Sequence, residues 1–185
     1  MALPIESLTE PIPIHRYDRH GQIVEISWIH HLVHIGEMKK FIDLDTSVDI
    51  ATPKIWLFKA GDSNIRTHFF AALNSVGGYY SEFYEAPTVT TLGDSFFPFA
   101  FNRTINTPTT IKGFKDGTIS SAGTLIGVDA GGAGALLATG RGGGVSRNEI
   151  EYLLRPNTVY MYRATVVNNG TFLGIEATFY EQQMW

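Results

Sequence analysis

The chain has 185 residues, 44% hydrophobic and only 17% charged, which is enough for one globular domain and excludes a disordered or highly charged polypeptide. Lys and Arg total 14 against 18 Asp and Glu, a net charge of −4 that matches a phosphate backbone poorly and excludes nucleic acid as the main partner. The absence of cysteine excludes a disulfide framework, a thiolate zinc site, an iron–sulfur cluster and a cysteine nucleophile.

The N-terminal stretch has no basic start followed by an apolar core, so it is not read as a signal peptide, and no window is apolar enough for a membrane span. The Asn-x-Thr matches at Asn102 and Asn169 therefore carry no weight. Residues 1–21 are expected to form an extended arm. Pro4, Pro11 and Pro13 interrupt helix and central strand alike, and His15 to Gly21 is polar. Such an arm either stays poorly ordered or orders against a neighbouring subunit. Residues 22–185 are expected to form a single β-domain.

Residues 22–35 carry a strand-like pattern. As a strand, Ile29, His31, Val33 and Ile35 share one face, and Trp28, His30, Leu32 and His34 the other. The run lacks Gly and Pro, so a helix remains open, but its β-branched and aromatic content favours strand. Short β-like runs follow at 40–44, 54–58, 67–73, 79–84, 109–114 and 124–128, separated by Gly-, Pro- and Asn-containing turns. Residues 127–144 hold eight Gly in eighteen positions and are expected to be a long loop around a short Ala-Leu-Leu strand. At the C-terminus, 159–167 and 172–180 flank Asn168-Asn169-Gly170-Thr171, a tight-turn signal that predicts a hairpin. Tyr160, Tyr162, Ala164 and Val166 form one apolar row, and Leu173, Ile175, Ala177 and Phe179 another. The sum is an all-β chain, an antiparallel β-sandwich or jelly-roll-like barrel with an extended N-terminal arm.

Several groups could carry chemistry. His30, His31 and His34, with Glu37 and the later His68, could hold a divalent ion in a cupin-like arrangement. On a helix, His30 and His34 would face the same way at i, i+4; on a strand they share a face but sit too far apart to chelate one ion alone. The Gly-rich segment lacks Gly-Lys-Ser/Thr and is not a phosphate loop. Glu82, Glu85, Asp94 and Asp116 could supply a glycosidase pair if suitably spaced, but solvated strand ends are the default. Gly-x-Ser-x-Gly is absent. Phe96, Phe97, Phe99 and Phe101 around Pro98, and Tyr79, Tyr80, Phe83 and Tyr84, are first of all core formers. Any that are exposed could anchor a subunit interface or stack on sugars. No catalytic, cofactor-binding or metal-ligating residue is assigned, and no cofactor is expected.

Two stretches carry a resemblance. One is WIHHLVHIGE at 28–37, followed by VDIA at 48–51 and KIWLF at 54–58. The other is EIEYLLRPNTVY at 149–160, with ATFYE at 177–181. Together, over about residues 28 to 181, the chain resembles a family of small structural proteins of tailed bacteriophages. It departs from that pattern in having Arg155 before Pro156 where lysine is common, and in an extra histidine. The resemblance implies a non-enzymatic virion component, foremost a capsid decoration or cement protein. Such a protein is made in the host bacterial cytoplasm and sits on the capsid surface. The implied partners are the major capsid protein and further copies of itself, as a homotrimer or other homo-oligomer, with neither nucleic acid nor membrane. A tail, fibre-adaptor or receptor-binding component stands second. A carbohydrate-binding module and a cupin-like metalloenzyme are the remaining alternatives. Under the first reading, residues 1–21 and 127–144 are the expected contact segments.

Overall fold

From Ile65 to Ser75, every second residue from Thr67 onward is buried. Period-two burial of this kind makes a strand with one face on a core. It recurs along most of the chain. The computed structural model describes residues 14–17, 23–26, 28–62, 64–75, 77–105, 107–131, 146–147, 151–168 and 171–183. In chain order the elements are β1 (Ile14–Tyr17), β2 (Ile23–Ile26), α1 (Trp28–His34), β3 (Lys39–Val48), β4 (Lys54–Lys59) and β5 (Ile65–Ser75). They continue with β6 (Tyr79–Glu85), β7 (Thr88–Thr91), β8 (Asp94–Phe96), β9 (Phe99–Ala100), β10 (Lys112–Lys115) and β11 (Thr118–Ser121). The last are β12 (Thr124–Gly131), β13 (Ser146–Arg147), β14 (Tyr152–Leu154), β15 (Val159–Val166) and β16 (Thr171–Gln183).

Two antiparallel sheets pack face to face as an all-β sandwich. One runs β12-β6-β15-β4-β10-β8, and the other β13-β5-β16-β3-β9 with β14 also on β5. The predicted rows form the core between them: Tyr160, Tyr162, Ala164 and Val166 from β15 face Leu173, Ile175, Ala177 and Phe179 from β16. Trp56, Phe58, Phe69 and Phe83 join them, all at most 1% exposed. Small β7–β11 and β1–β2 ribbons complete the strands. Ile119 and Val89 of the first ribbon pack on Leu57, Tyr84 and Met161, which lie on the outer face of the β15 sheet.

Three expectations are corrected. The predicted C-terminal hairpin does not form. Both edges of β15 are taken by β4 and β6, and both edges of β16 by β5 and β3. The Asn-containing link therefore carries the chain from one sheet to the other, with Asn168 Nδ2 donating to Gly77 O at 3.1 Å and Thr171 Oγ1 to Asn168 O at 2.6 Å. The strand expected over 22–35 is a strand only at β2; residues 28–34 are helical. That helix lays fully buried Leu32 on Tyr180 and Phe70, covering apolar side chains on the outer face of the β16 sheet. Tertiary cover here overrides local strand propensity. Gly36, at φ 79°, ends the helix, and a Cβ there would come within 2.6 Å of Ile105. Finally, of the run expected at 109–114 only 112–114 is strand, within β10. Thr109, Thr110 and Ile111 instead donate to the Glu181 carboxylate at 2.6–3.2 Å.

Within the expected arm, residues 14–17 form β1, paired antiparallel with β2. The rest of 1–21 lies outside the described residues, apart from this strand. Of the expected Gly-rich loop, 127–131 belong to β12, and 132–144 lie outside the described residues.

Polar groups tie the two sheets together. Asp43 of β3, 8% exposed, accepts from Trp56 Nε1 of β4 at 2.8 Å and from Lys115 Nζ of β10 at 2.7 Å. Nearby, Lys54 Nζ bridges Asp45 at 3.1 Å and Asp116 at 2.8 Å. Burial works against the Lys54 charge, but the hydrogen bonds to Asp116 and Asp45 outweigh it and raise its pKa. The Lys54 hydrogen bond in turn holds the Asp45 carboxyl below its ordinary value of 3.8. A depressed carboxyl contributes stability above its unfolded pKa and loses it as pH falls through the folded one. The thermal midpoint of the native protein should therefore exceed that of Asp45→Asn by a constant margin at neutral pH, and the margin should close only below 3.8. Thermal melts across the acid range read this directly. A margin that stays constant to the lowest pH would show that Asp45 is not the titrating partner.

Candidate interaction surface

The residues with chemical potential are, for the most part, engaged in holding the fold. Glu82 and Glu85 lie three apart on β6 and so point to opposite faces of the strand. Arg163 Nε donates to Glu82 at 2.6 Å, while Glu85 accepts from Tyr160 Oη at 2.9 Å with Arg155 Nε at 3.5 Å. Asp116 pairs with Lys54. These carboxylates do not converge as a hydrolytic pair would.

The histidines divide. His30 and His34 lie one turn apart on α1, both exposed, with Nε2 atoms 2.7 Å apart and rings stacked at 4.6 Å. His68, on β5, stacks on Tyr180 at 4.3 Å, with Nδ1 on Glu151 and Nε2 3.2 Å from Gln182 Oε1. Among the described residues, no group of three or more His, Cys, Asp or Glu is placed to hold a metal ion. The set His30, His34, Glu37 and His68 is thus not assembled into one centre. Tyr180 also donates to Glu151 at 3.0 Å, so His68 and Tyr180 together hold the segment leading into β14.

An open cleft of about 770 Å3 is lined by Glu37, Lys39, Arg66, Thr107, Thr110 and Glu181, among others. Lys39 is 3% exposed, and its Nζ donates to Pro108 O at 3.1 Å. Burial lowers its pKa, while Glu181 and Glu37 oppose that effect. Glu181 accepts hydrogen bonds from Thr109, Thr110 and Ile111, so the cleft wall is a structural staple of the segment before β10.

The aromatic groups split as well. Tyr79, Phe83 and Tyr84 are buried in core clusters, and Phe96 packs against the core 5.1 Å from Phe41. Phe97, Phe99 and Phe101, by contrast, are exposed, Phe97 at 76%. Cations cap two of these rings: Lys40 Nζ lies 5.1 Å from the Phe101 centroid, and the Arg103 guanidinium 5.6 Å from that of Phe99.

A further exposed apolar feature among the described residues is the edge strand β12. Among the described residues it has one ladder, to β6, leaving its other edge unpaired. A bulge between Leu125 and Gly127 shifts the register. Leu125, Ile126 and Val128 are 48%, 37% and 57% exposed, and Tyr80 on neighbouring β6 is 47% exposed. The strand is held firmly. Tyr79 Oη donates to Asp129 at 3.1 Å, and Gly127 lies so close to Tyr152 that a Cβ would meet its hydroxyl at 2.5 Å. Sequence reading marked 124–128 as a strand but not as a free edge, because alternation reports faces and not neighbours. The low overall charge was the one available hint.

These features define the class: an all-β sandwich presenting a rigid apolar edge. Comparison with family models, with curated proteins and with solved structures finds no match.

Proposed function

We propose that the protein is a non-enzymatic structural component of a tailed-phage virion, a decoration protein that binds and stabilises the shell of major capsid protein and associates with copies of itself. The observation that carries the assembly part of this reading is the β12 edge, with Leu125, Ile126 and Val128 exposed beside a strand edge that has no ladder among the described residues. An exposed edge of this kind favours strand addition or burial under a second protein surface, because both backbone groups and apolar side chains gain partners there. The exposed Phe97, Phe99 and Phe101 supply a second apolar corner suited to a multi-contact lattice. The placement on a phage head rests on the sequence resemblance at 28–58 and 149–181.

The test pairs solution mass by light scattering with co-sedimentation on capsids assembled from the phage's own major capsid protein. The native chain should form a closed oligomer and sediment with capsids. Leu125→Lys with Val128→Lys should weaken capsid binding or self-association by roughly 10-fold or more, with an unchanged thermal midpoint because both side chains already face solvent. Unchanged association would remove β12 as the contact. A monomer that sediments with tails, or with nothing, would overturn the decoration reading.

A further inference from the structure

We propose that His30 and His34 form a two-point site for a borderline transition-metal ion, Cu2+, Ni2+ or Zn2+, on the exposed face of α1. This goes beyond the assembly reading and stands apart from it. Two imidazoles chelate one ion only if their nitrogens can reach a common point. A strand would separate His30 and His34 by roughly 13 Å. The helix over Trp28–His34 instead stacks positions four apart.

The observed geometry is close to what an ion requires. The two Nε2 atoms are 2.7 Å apart and both side chains are exposed. Two metal–nitrogen bonds of about 2.0–2.1 Å place their nitrogens about 2.9 Å apart at a right angle and about 3.3 Å at a tetrahedral angle. The pair must therefore open by only a few tenths of an ångström. The rings are stacked within 18° of parallel, so their in-plane lone pairs lie in two neighbouring planes and each ring must turn to meet one ion. Rotation about χ2, a broad torsion for histidine, turns both toward a shared ion. The short nitrogen–nitrogen contact is then replaced by two coordinate bonds.

The donor set selects the ion. Imidazole pairs favour Cu2+, Ni2+ and Zn2+ over the oxygen-seeking Mg2+ and Ca2+, and affinity rises from Mn2+ to Cu2+. No third His, Cys, Asp or Glu joins the pair among the described residues. Water or a further donor fills the remaining positions. An ion bridging the first and last turns also clamps a seven-residue helix, which is shorter than an isolated helix needs for stability.

The experiment titrates the untagged full chain with Cu2+, Ni2+, Zn2+ and Mg2+ alone, by calorimetry, with hydrogen exchange as a second readout. Saturable uptake of Cu2+, Ni2+ and Zn2+, with none of Mg2+, is expected. His30→Gln or His34→Gln should each weaken it by roughly 100-fold, because one-point binding replaces two-point binding. His31→Gln, about 100° around the helix, should leave it unchanged. Exchange of the Ile35 and Gly36 amides, which donate to His31 and Val33 carbonyls at 3.1 Å, should slow with Zn2+ in the native chain but not in His34→Gln. An ion shared between copies would give less than one ion per chain and a higher solution mass, and both effects would vanish with either Gln variant. Uptake that survives both variants, or none at ion concentrations on the order of millimolar, overturns the proposal.

Discussion

Asp43→Ala should lower the unfolding free energy by ~2–3 kcal/mol, chiefly the cost of leaving a buried donor without its acceptor. The carboxylate is 8% exposed and serves both sheets at once, accepting from Trp56 Nε1 at 2.8 Å and Lys115 Nζ at 2.7 Å. Alanine would leave the indole N–H of a fully buried tryptophan without its acceptor and the Lys115 ammonium without its counter-charge. The Trp56 loss carries a desolvation cost that water cannot relieve in the sandwich interior, whereas the Lys115 side chain, 34% exposed, regains water. Asp43→Asn keeps an acceptor for Trp56 but removes the charge facing Lys115, so it should fall between native and alanine. Urea denaturation of the three chains gives the comparison. A loss for alanine below ~1 kcal/mol would place Asp43 among surface ion pairs and remove its clamping role.

Phe83→Ala should cost ~3–5 kcal/mol through a cavity. The ring is 1% exposed and lies among four others: Tyr162 at 4.4 Å, Tyr152 at 4.8 Å, Tyr160 at 5.7 Å and Phe69 of the opposite sheet at 5.9 Å. These neighbours are poorly able to collapse into the space. Tyr160, for example, is fixed by donating to Glu85 at 2.9 Å and accepting from Arg155 N at 2.8 Å. Burial pushes its phenol pKa up to about 12, as expected for a group held neutral in the core. Phe83→Leu retains most of the volume and should cost ~1.5 kcal/mol or less. Denaturant midpoints for the two variants should therefore differ widely. Equal midpoints would mean that the aromatic cluster repacks.

The sequence was most informative about faces. The rows at Tyr160–Val166 and Leu173–Phe179 were legible because a strand with one buried side must alternate, and the same rows line the core. It was least informative about partners. Asn168-Asn169-Gly170 suits a tight turn, but nothing local says whether the next strand returns beside its predecessor or crosses to the opposite sheet. That choice belongs to β3, β4, β5 and β6, which take every edge of β15 and β16. The short helix was hidden for a related reason. Its β-branched and aromatic content points to strand, and only the need to cover Phe70 and Tyr180 makes it helical. Gly36 was the one local sign of its end. The same gap hid the candidate surface, since the position of β12 at the end of its sheet, among the described residues, is a property of the finished sheet. His30 and His34 were visible in the sequence, but their spacing acquires meaning only once the segment coils.

The crossing from β15 to β16 has a consequence for biosynthesis. These strands are interior members of their sheets, yet in chain order they follow every strand they join. Until they emerge, β4 and β6 lack the strand that joins them, and so do β3 and β5. The interval between completion of β6 at Glu85 and the start of β15 at Val159 lasts about 4–15 s at ordinary translation rates. Throughout it the nascent chain displays unpaired strand edges and the apolar faces of a core with no centre. Folding of the sandwich is therefore postponed until β15 and β16 have emerged, and ribosomes crowded on one message hold several such chains side by side. Slower initiation, which spaces those chains apart, should raise the yield of soluble protein more than slower elongation, which prolongs the exposed interval.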